Sequence, residues 1–284
     1  MVLTSPPYHA DIPFDRPTDM SVSPSEKMIA YQEGPIGWIV FNQPERHNAV
    51  SLAMWEALEV IVDHYAQNPE VRVIVVRGAG DKAFVSGADI SEFETQRAAP
   101  TAIAHYNDTS LRALRRLREI NKPTLAMIQG YCVGGGVAVA LSCDIRLAND
   151  VSRYAVPAAK LGLGYEFEGV SKLVNLVGPS FAKEIFFTAR LFSAQEAHHM
   201  GLINRYVPAD ELPALVEEYA STIAGNAPMT IASIKTIVGE VLKDESKRDE
   251  AWCERTVDQC FNSDDYREGR TAFMEKRRPV FKGR

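Results

Sequence analysis

The order of apolar and polar positions predicts strands that alternate with helices from Met28 onward. Two short strand-like runs flank Glu33–Gly37 and predict a β-hairpin. Ser51 precedes a segment whose apolar residues recur at helical spacing, so we expect a helix that Ser51 caps and that ends near Asn68. The run VRVIVVRGAG that follows is apolar without alternation, which is typical of a buried strand in a parallel sheet.

The same alternation continues through the middle of the chain. The pattern predicts a loop at Asp81–Asp89, a helix within residues 101–119, a strand at Thr124–Gln129, a glycine turn with a short helix from Gly135, and a strand at Asp144–Ala148. Strands that alternate with helices form βαβ units with right-handed crossovers, so we expect an α/β fold. We interpret Trp38, Trp55 and Tyr131 as core residues.

The last third of the chain carries helical patterns only. Ser193 and Asp210 are both positioned to cap amphipathic segments, and no strand pattern follows Val207. The sequence therefore predicts an N-terminal arm of residues 1–27, a mixed core of residues 28–207 and a helical region of residues 208–284.

Charge and composition restrict the partners. The chain of 284 residues has a formal net charge of −6, which argues against a nucleic-acid-binding surface. No apolar run approaches the ~20 residues that span a bilayer, so we expect no membrane partner. His198 and His199 are adjacent and point apart on a helix, which makes them a poor metal site.

The cysteines and the N-terminus indicate a cytoplasmic protein. Cys132, Cys143, Cys253 and Cys260 show no metal-ligand spacing and are too few for a disulfide scaffold, so we expect free thiols in a reducing compartment. Residues 1–27 lack the basic start and apolar stretch of a secretory signal, and we expect them to form a flexible arm.

Two glycine loops carry the candidate chemistry. Gly87 precedes a predicted helix start at Ala88 and Asp89, and Gly134–Gly136 lie between a strand and a helix. The first turn of a helix has amide N–H groups without intrahelical partners, and these donors suit an anion. Two such donors from two loops are what an oxyanion hole needs, that is, a pair of N–H groups that bind a carbonyl oxygen as it gains negative charge. A dinucleotide fingerprint is the competing interpretation, but Val139 stands where that motif needs a small residue.

Several motifs together resemble the crotonase (enoyl-CoA hydratase/isomerase) superfamily across residues 28–284. They are KAFVSGADISEF, NKPTLAMIQGYCVGGG, CDIRLA, LFSAQEAHHMGLINRYVP and FMEKRRPVFKGR, in this order. The resemblance implies a spiral of ββα units, a C-terminal helical region that forms a trimer or a dimer of trimers, and an acyl-CoA thioester as ligand. It implies no cofactor beyond the coenzyme A of the substrate. It also implies that the thioester oxygen binds the amides of Ala88 and Gly135.

The resemblance further implies residues that bind coenzyme A. They are Arg46, Ala49, Ser86, Asp89 and Ile90 along the channel, and Lys276 and Lys282 across a subunit boundary. Lysine and arginine are common on any protein surface, so solvated surface residues are the alternative interpretation.

The chain departs from the hydratases of this family at the two catalytic positions. Ala138 and Ala158 align with the two glutamates that activate water and protonate the carbon next to the thioester. Alanine transfers no proton, so hydration through these positions is excluded.

Two later acids are candidates for a single base. Glu166 aligns without gaps with the glutamate of some Δ3,Δ2-enoyl-CoA isomerases, and Glu168 follows two residues later. Glu166 lies between the apolar residues Leu163 and Phe167, which would desolvate it and favour its protonated form. The alternative is that both acids precede a helix and interact only with its dipole.

The sequence leaves several activities open. The first is an acyl-CoA enzyme that stabilises a thioester enolate, with isomerisation or decarboxylation more compatible with the two alanines than hydration. The alternative from another class is a protein that binds acyl-CoA without catalysis.

Overall fold

The structure, a computed structural model, describes residues 22–89 and 100–284. Its strands are β1 (Met28–Glu33), β2 (Ile36–Phe41), β3 (Val73–Gly78), β4 (Ala83–Val85), β5 (Thr124–Ile128), β6 (Tyr131–Val133), β7 (Ile145–Asn149), β8 (Arg153–Ala155), β9 (Phe192–Ser193) and β10 (Arg205–Val207). Its helices are α1 (Leu52–Gln67), α2 (Pro100–Glu119), α3 (Gly135–Ser142), α4 (Ala158–Leu161), α5 (Phe167–Thr188), α6 (Ala194–His199), α7 (Leu212–Gly225), α8 (Pro228–Val241), α9 (Glu250–Asn262) and α10 (Asp264–Glu275).

The larger sheet has six strands in the order β1-β2-β3-β5-β7-β10. The hairpin β1–β2 is antiparallel and the remaining pairings are parallel, which confirms the α/β prediction. The position of β3 explains why its apolar and polar residues do not alternate. Ile74 and Val76 pack in the core with α1, whereas Val73 and Val75 pack with α7 on the opposite face. Both faces of the strand are therefore apolar.

The smaller sheet has the order β4-β6-β8-β9, and the sequence did not predict it. The expected loop at Asp81–Asp89 contains β4, and the segment before the glycine turn contains β6. Three residues are too few to show an alternating pattern, so these strands form through pairing with distant strands. Ala83 pairs with Tyr131, and Cys132 pairs with Tyr154, in parallel register.

Local signals predicted the main helix boundaries. Ser51 accepts a hydrogen bond from the Met54 amide at the start of α1, and Ser193 forms a reciprocal capping box with Glu196 at α6. The cap before α7 is Glu211, one residue later than expected. Trp38 and Trp55 are buried, but the core assignment of Tyr131 is wrong because 43% of its surface is exposed at the start of β6.

The part of the chain after α7 makes polar contacts with the core. The Lys235 ammonium of α8 lies 2.7 Å from the Asp144 carboxylate, and Arg72 donates to the carbonyl of Phe281 at 2.6 Å. Within the described ranges no strand follows Val207, and none of the helices has the length and apolar composition needed to cross a membrane. All four cysteines are free thiols, as expected.

Candidate functional site

The candidate site lies where three adjacent strands of the smaller sheet end. The carboxyl ends of β4, β6 and β8 lead into the loops that carry Ala88, Gly135 and Ala158. Because the three strands are parallel neighbours, these loops emerge from one edge of the sheet. This edge is where α/β proteins bind ligands.

The two glycine loops are in contact. A methyl group placed on Gly134 would lie 3.8 Å from Cα of Gly87, and one placed on Gly135 would lie 3.7 Å from the Gly87 carbonyl carbon. A methyl group on Gly136 would lie 2.1 Å from the Val85 oxygen, so only glycine allows α3 to pack this closely on β4.

Two amides at this contact have no partner in the described part of the chain. Val50 forms a parallel bridge with Ala88, in which the Val50 amide donates to Gly87 at 2.7 Å and the Asp89 amide donates to Val50 at 3.0 Å. Among the described residues, neither the Ala88 amide nor the Gly135 amide donates a hydrogen bond. Gly135 also begins the eight-residue helix α3, whose dipole favours negative charge there. The pair can therefore bind an oxygen that gains negative charge.

Asp89 joins the Ala88 loop to the turn after β2. Its carboxylate, with only 5% of the residue exposed, accepts from Gln43 Nε2 at 3.0 Å and from Arg46 Nη1 at 3.1 Å. The Ser86 amide donates to the His47 carbonyl at 3.1 Å. The expected coenzyme A residues Arg46, Ser86 and Asp89 are thus brought together, but the Asp89 carboxylate is turned inward as a structural acceptor.

The other expected coenzyme A residues are placed as follows. Ala49 lies in the same turn, half-buried, with its carbonyl 3.4 Å from Gln43 Nε2. Ile90 lies outside the described residues. Lys276 and Lys282 are exposed near the C-terminus, and no hydrogen bond or ion pair within the described chain joins their side chains to the glycine loops.

Asn48 is a site-building residue that the sequence argument missed. It is fully buried, and its backbone has a left-handed conformation. Its side-chain Nδ2 donates to the carbonyls of Ala79 at 3.0 Å and Ala83 at 2.8 Å. Its side-chain oxygen accepts from the Gln43 amide at 3.0 Å. Asparagine tolerates left-handed backbone, and that preference within the RHNAVS turn is the signal that could have identified it.

The two candidate acids have different partners. Glu166 precedes α5, and in the described chain its exposed carboxylate makes no capping hydrogen bond but accepts from Asn107 Nδ2 at 3.3 Å. Leu163 is 47% exposed and Phe167 is 88% exposed, so the expected desolvation of Glu166 does not occur within one chain.

Glu168 lies in the first turn of α5 and forms ion pairs. Its carboxylate oxygens lie 3.1 Å from Arg118, 3.1 Å from Lys172 and 3.4 Å from Arg115. Partial burial alone would raise the pKa of Glu168, but hydrogen bonds and charge from Lys172 and Arg118 outweigh it and lower that pKa. Glu168 therefore stays ionised and docks α5 on α2.

The two alanine positions and the nearby thiols supply no acid or base. Ala138 is half-buried on α3 and Ala158 is buried at the start of α4. Burial raises the pKa of the Cys143 thiol to about 12 and also raises that of Cys132, so neither forms a nucleophilic thiolate near neutral pH. Within residues 22–89 and 100–284, no group of three or more His, Cys, Asp or Glu side chains could hold a metal ion.

Comparisons with known proteins identify the family of the chain. A family model described as enoyl-CoA hydratase/isomerase matches residues 32–284. The short-chain-enoyl-CoA hydratase of Clostridium acetobutylicum is 32% identical over 251 residues, which cover 88% of this chain and 95% of that protein. The carnitinyl-CoA dehydratase of Salmonella typhi is 33% identical over 268 residues, which cover 92% of this chain and 100% of that protein.

A solved structure has the same fold. The crystal structure of an enoyl-CoA hydratase/carnithine racemase from Magnetospirillum magneticum matches with a TM-score of 0.87 at 34% identity. The match covers 93% of this chain and 98% of the other.

Proposed function

Because the chain belongs to the enoyl-CoA hydratase/isomerase family, we propose that it stabilises the enolate of an acyl-CoA thioester between the amides of Ala88 and Gly135. The observation that carries the proposal is the pair of partnerless amides, within the described chain, on two touching loops. Preorganised donors of this kind stabilise an oxyanion because they need no reorganisation when charge develops.

The reaction that this site supports best is Δ3,Δ2-isomerisation with Glu166 as the single acid/base. The Glu166 carboxylate takes a proton from C2 of a 3-enoyl-CoA, and the thioester oxygen becomes the enolate oxygen. The same carboxyl group then returns the proton to C4, which moves the double bond to C2 and regenerates the thioester. Ala138 and Ala158 support this choice over hydration, which would need a second acid/base group at those positions.

Contacts of Glu166 support its role. Asn107, which holds Glu166, follows Tyr106 on α2, and the Tyr106 hydroxyl donates to the Val50 carbonyl at 3.3 Å. Val50 is the residue bridged to Ala88. Glu166 is therefore connected to the Ala88 loop through neighbouring residues of one helix.

Glu168, on α5, contacts a more C-terminal part of α2. Its partners Arg115 and Arg118 lie eight and eleven positions after Asn107 in the sequence, or roughly 12–16 Å along α2 at 1.5 Å per residue. The two acids thus form a matched pair for substitution, and Glu166 is the one whose partner on α2 adjoins Tyr106, which contacts Val50 beside the Ala88 loop.

The test measures conversion of a 3-enoyl-CoA to the conjugated 2-enoyl-CoA by its ultraviolet absorbance. We expect Glu166→Gln to lower kcat by roughly 10²–10⁴, the usual contribution of a general acid/base group. The control Glu168→Gln keeps the wild-type kcat. Hydration of crotonyl-CoA is slow in all three proteins.

Equal loss in both variants, or no loss in either, contradicts the assignment of Glu166. If neither substitution matters while the protein decarboxylates a malonyl-type thioester, the oxyanion hole works without a base. If no thioester is turned over although acyl-CoA binds, the protein is a binding member of the family.

A further inference from the structure

The hydroxyl group of Tyr106 lies where α1, α2 and the Ala88 loop meet. The residue is only 7% exposed, and its oxygen accepts a hydrogen bond from Trp55 Nε1 at 2.9 Å. The same hydroxyl donates to the Val50 carbonyl at 3.3 Å. The buried hydroxyl of Tyr106 therefore links α2 to Trp55 of α1 and to Val50, the residue before the α1 cap.

Val50 transmits this contact to the Ala88 amide. The Val50 amide donates to the carbonyl before Ala88, and the Val50 carbonyl accepts from the amide after it, at 2.7 and 3.0 Å. Successive peptide groups of extended backbone alternate in direction, so these two bonds direct the Ala88 amide away from Val50. Any movement of Val50 therefore displaces the Ala88 amide.

Trp55 connects Tyr106 to the second amide, that of Gly135. Its ring atom Cζ2 would lie 3.8 Å from a methyl group placed on Gly135, and the indole is 3% exposed. The hydrogen bond to Tyr106 holds this ring in one orientation against the glycine loop. The two donors come from loops that are 47 positions apart in the sequence, yet both depend on one side chain.

We propose that Tyr106 is a positioning residue that keeps the Ala88 and Gly135 amides aimed at the same oxygen atom. It acts through Val50 and Trp55. The inference rests on the proposed function of the two amides as an oxyanion hole. Donor geometry matters because small displacements of groups around the reacting atoms cause large losses in rate.

Tyr106→Phe tests the proposal because it removes the hydroxyl that bonds to Trp55 and Val50 and keeps the ring. We expect kcat for isomerisation to fall about tenfold, less than the 10²–10³ that follows loss of one donor, with KM unchanged within about twofold. Tyr65→Phe is the matched control. Tyr65 is also buried, on α1, and its hydroxyl bonds to the carbonyls of Tyr31 at 2.8 Å and Trp38 at 2.9 Å in the β1–β2 hairpin. The Tyr65→Phe variant loses comparable hydrogen bonds, and we expect its kcat to be unchanged.

A spectroscopic readout separates positioning from folding and from turnover. Cinnamoyl-CoA absorbs at longer wavelength when donors polarise its carbonyl, so its red shift on binding reports on the two amides directly. We expect the full shift in the wild type and in Tyr65→Phe, and a smaller shift in Tyr106→Phe. Thermal unfolding of both variants checks that their stabilities are similar.

The outcomes distinguish the two proposals. A bound probe without a red shift in the wild type overturns the oxyanion hole itself. A wild-type shift that Tyr106→Phe retains in full, with unchanged kcat, overturns only the positioning role. If Tyr106→Phe does not fold, Trp55→Phe removes the 2.9 Å bond together with the ring atom that faces Gly135, and an unchanged shift in that variant overturns the role equally.

Discussion

At the scale of single residues, substitutions of Gly135 can test the role of its backbone amide separately from the space available to a side chain. Its backbone lies outside the left-handed region, and a methyl group on it would have no neighbour closer than 3.7 Å. An alanine therefore fits. As the first residue of α3, Gly135 also occupies a position where proline is compatible with a helix.

We expect Gly135→Pro to lower kcat by roughly 10²–10³, because it removes one donor to the developing oxyanion. Gly135→Ala keeps the N–H group and is expected to retain most of the activity. Steady-state kinetics with a 3-enoyl-CoA, on variants with wild-type circular dichroism, measure the difference. Equal activity of the proline and alanine variants would contradict the role of this amide.

At the scale of elements, the start of α5 is docked on α2 by charge. Glu168 contacts Arg115, Arg118 and Lys172, and hydrogen bonds and charge from Lys172 and Arg118 lower its pKa against the effect of partial burial. A carboxylate with a lowered pKa in the folded state stabilises that state fully above its ordinary value of 4.5. The stabilisation is lost as the pH falls through the lowered pKa.

Glu168→Gln is therefore expected to lower the melting temperature at pH 7 by about 1–3 °C, which corresponds to at most about 1 kcal/mol for a partly exposed network. The difference from the wild type should shrink as the pH falls below 4.5 and through the lowered pKa, because the wild-type side chain then becomes protonated. Differential scanning fluorimetry across pH 3–8 measures it. A difference that persists at low pH would mean that the ion pairs do not dock the helix.

At the scale of the whole molecule, α8 exposes the face that a globular protein normally buries. Its exposed apolar residues are Ile234, Val238, Val241 and the flanking Leu242, which share one side at helical spacing. Its buried residues are the polar Ser233 and Glu240. On α10, Phe273 is 83% exposed. Large exposed apolar patches mark interaction surfaces, which supports the predicted trimer or dimer of trimers.

Sedimentation equilibrium at micromolar concentration is expected to show a trimer or a hexamer of the 31.5 kDa chain. Val238→Asp should lower the mass, because it places a charge in the proposed interface. Val60→Asp, at a single exposed valine of α1, is the control and should not change it. A wild-type protein with the mass of one chain would refute the assembly.

The sequence by itself determined the features that depend on near neighbours. The hairpin around Glu33–Gly37, the cap at Ser51, the apolar strand β3 and the capping box at Ser193 all follow from local pattern and side-chain chemistry. The glycine loop at Gly134–Gly136 was recognisable for the same reason, since its glycines and the start of α3 are contiguous in the chain.

Tertiary structure alone decided the features that depend on distant partners. β4 and β6 exist because they pair with each other. Glu166 and Glu168 have different partners because they contact different positions of α2, Asn107 and Arg118. The Tyr106 hydroxyl bonds to residues more than fifty positions away. Such contacts leave no periodic trace in the sequence, because hydrogen bonding and burial of a side chain are set by whatever the folded chain brings beside it.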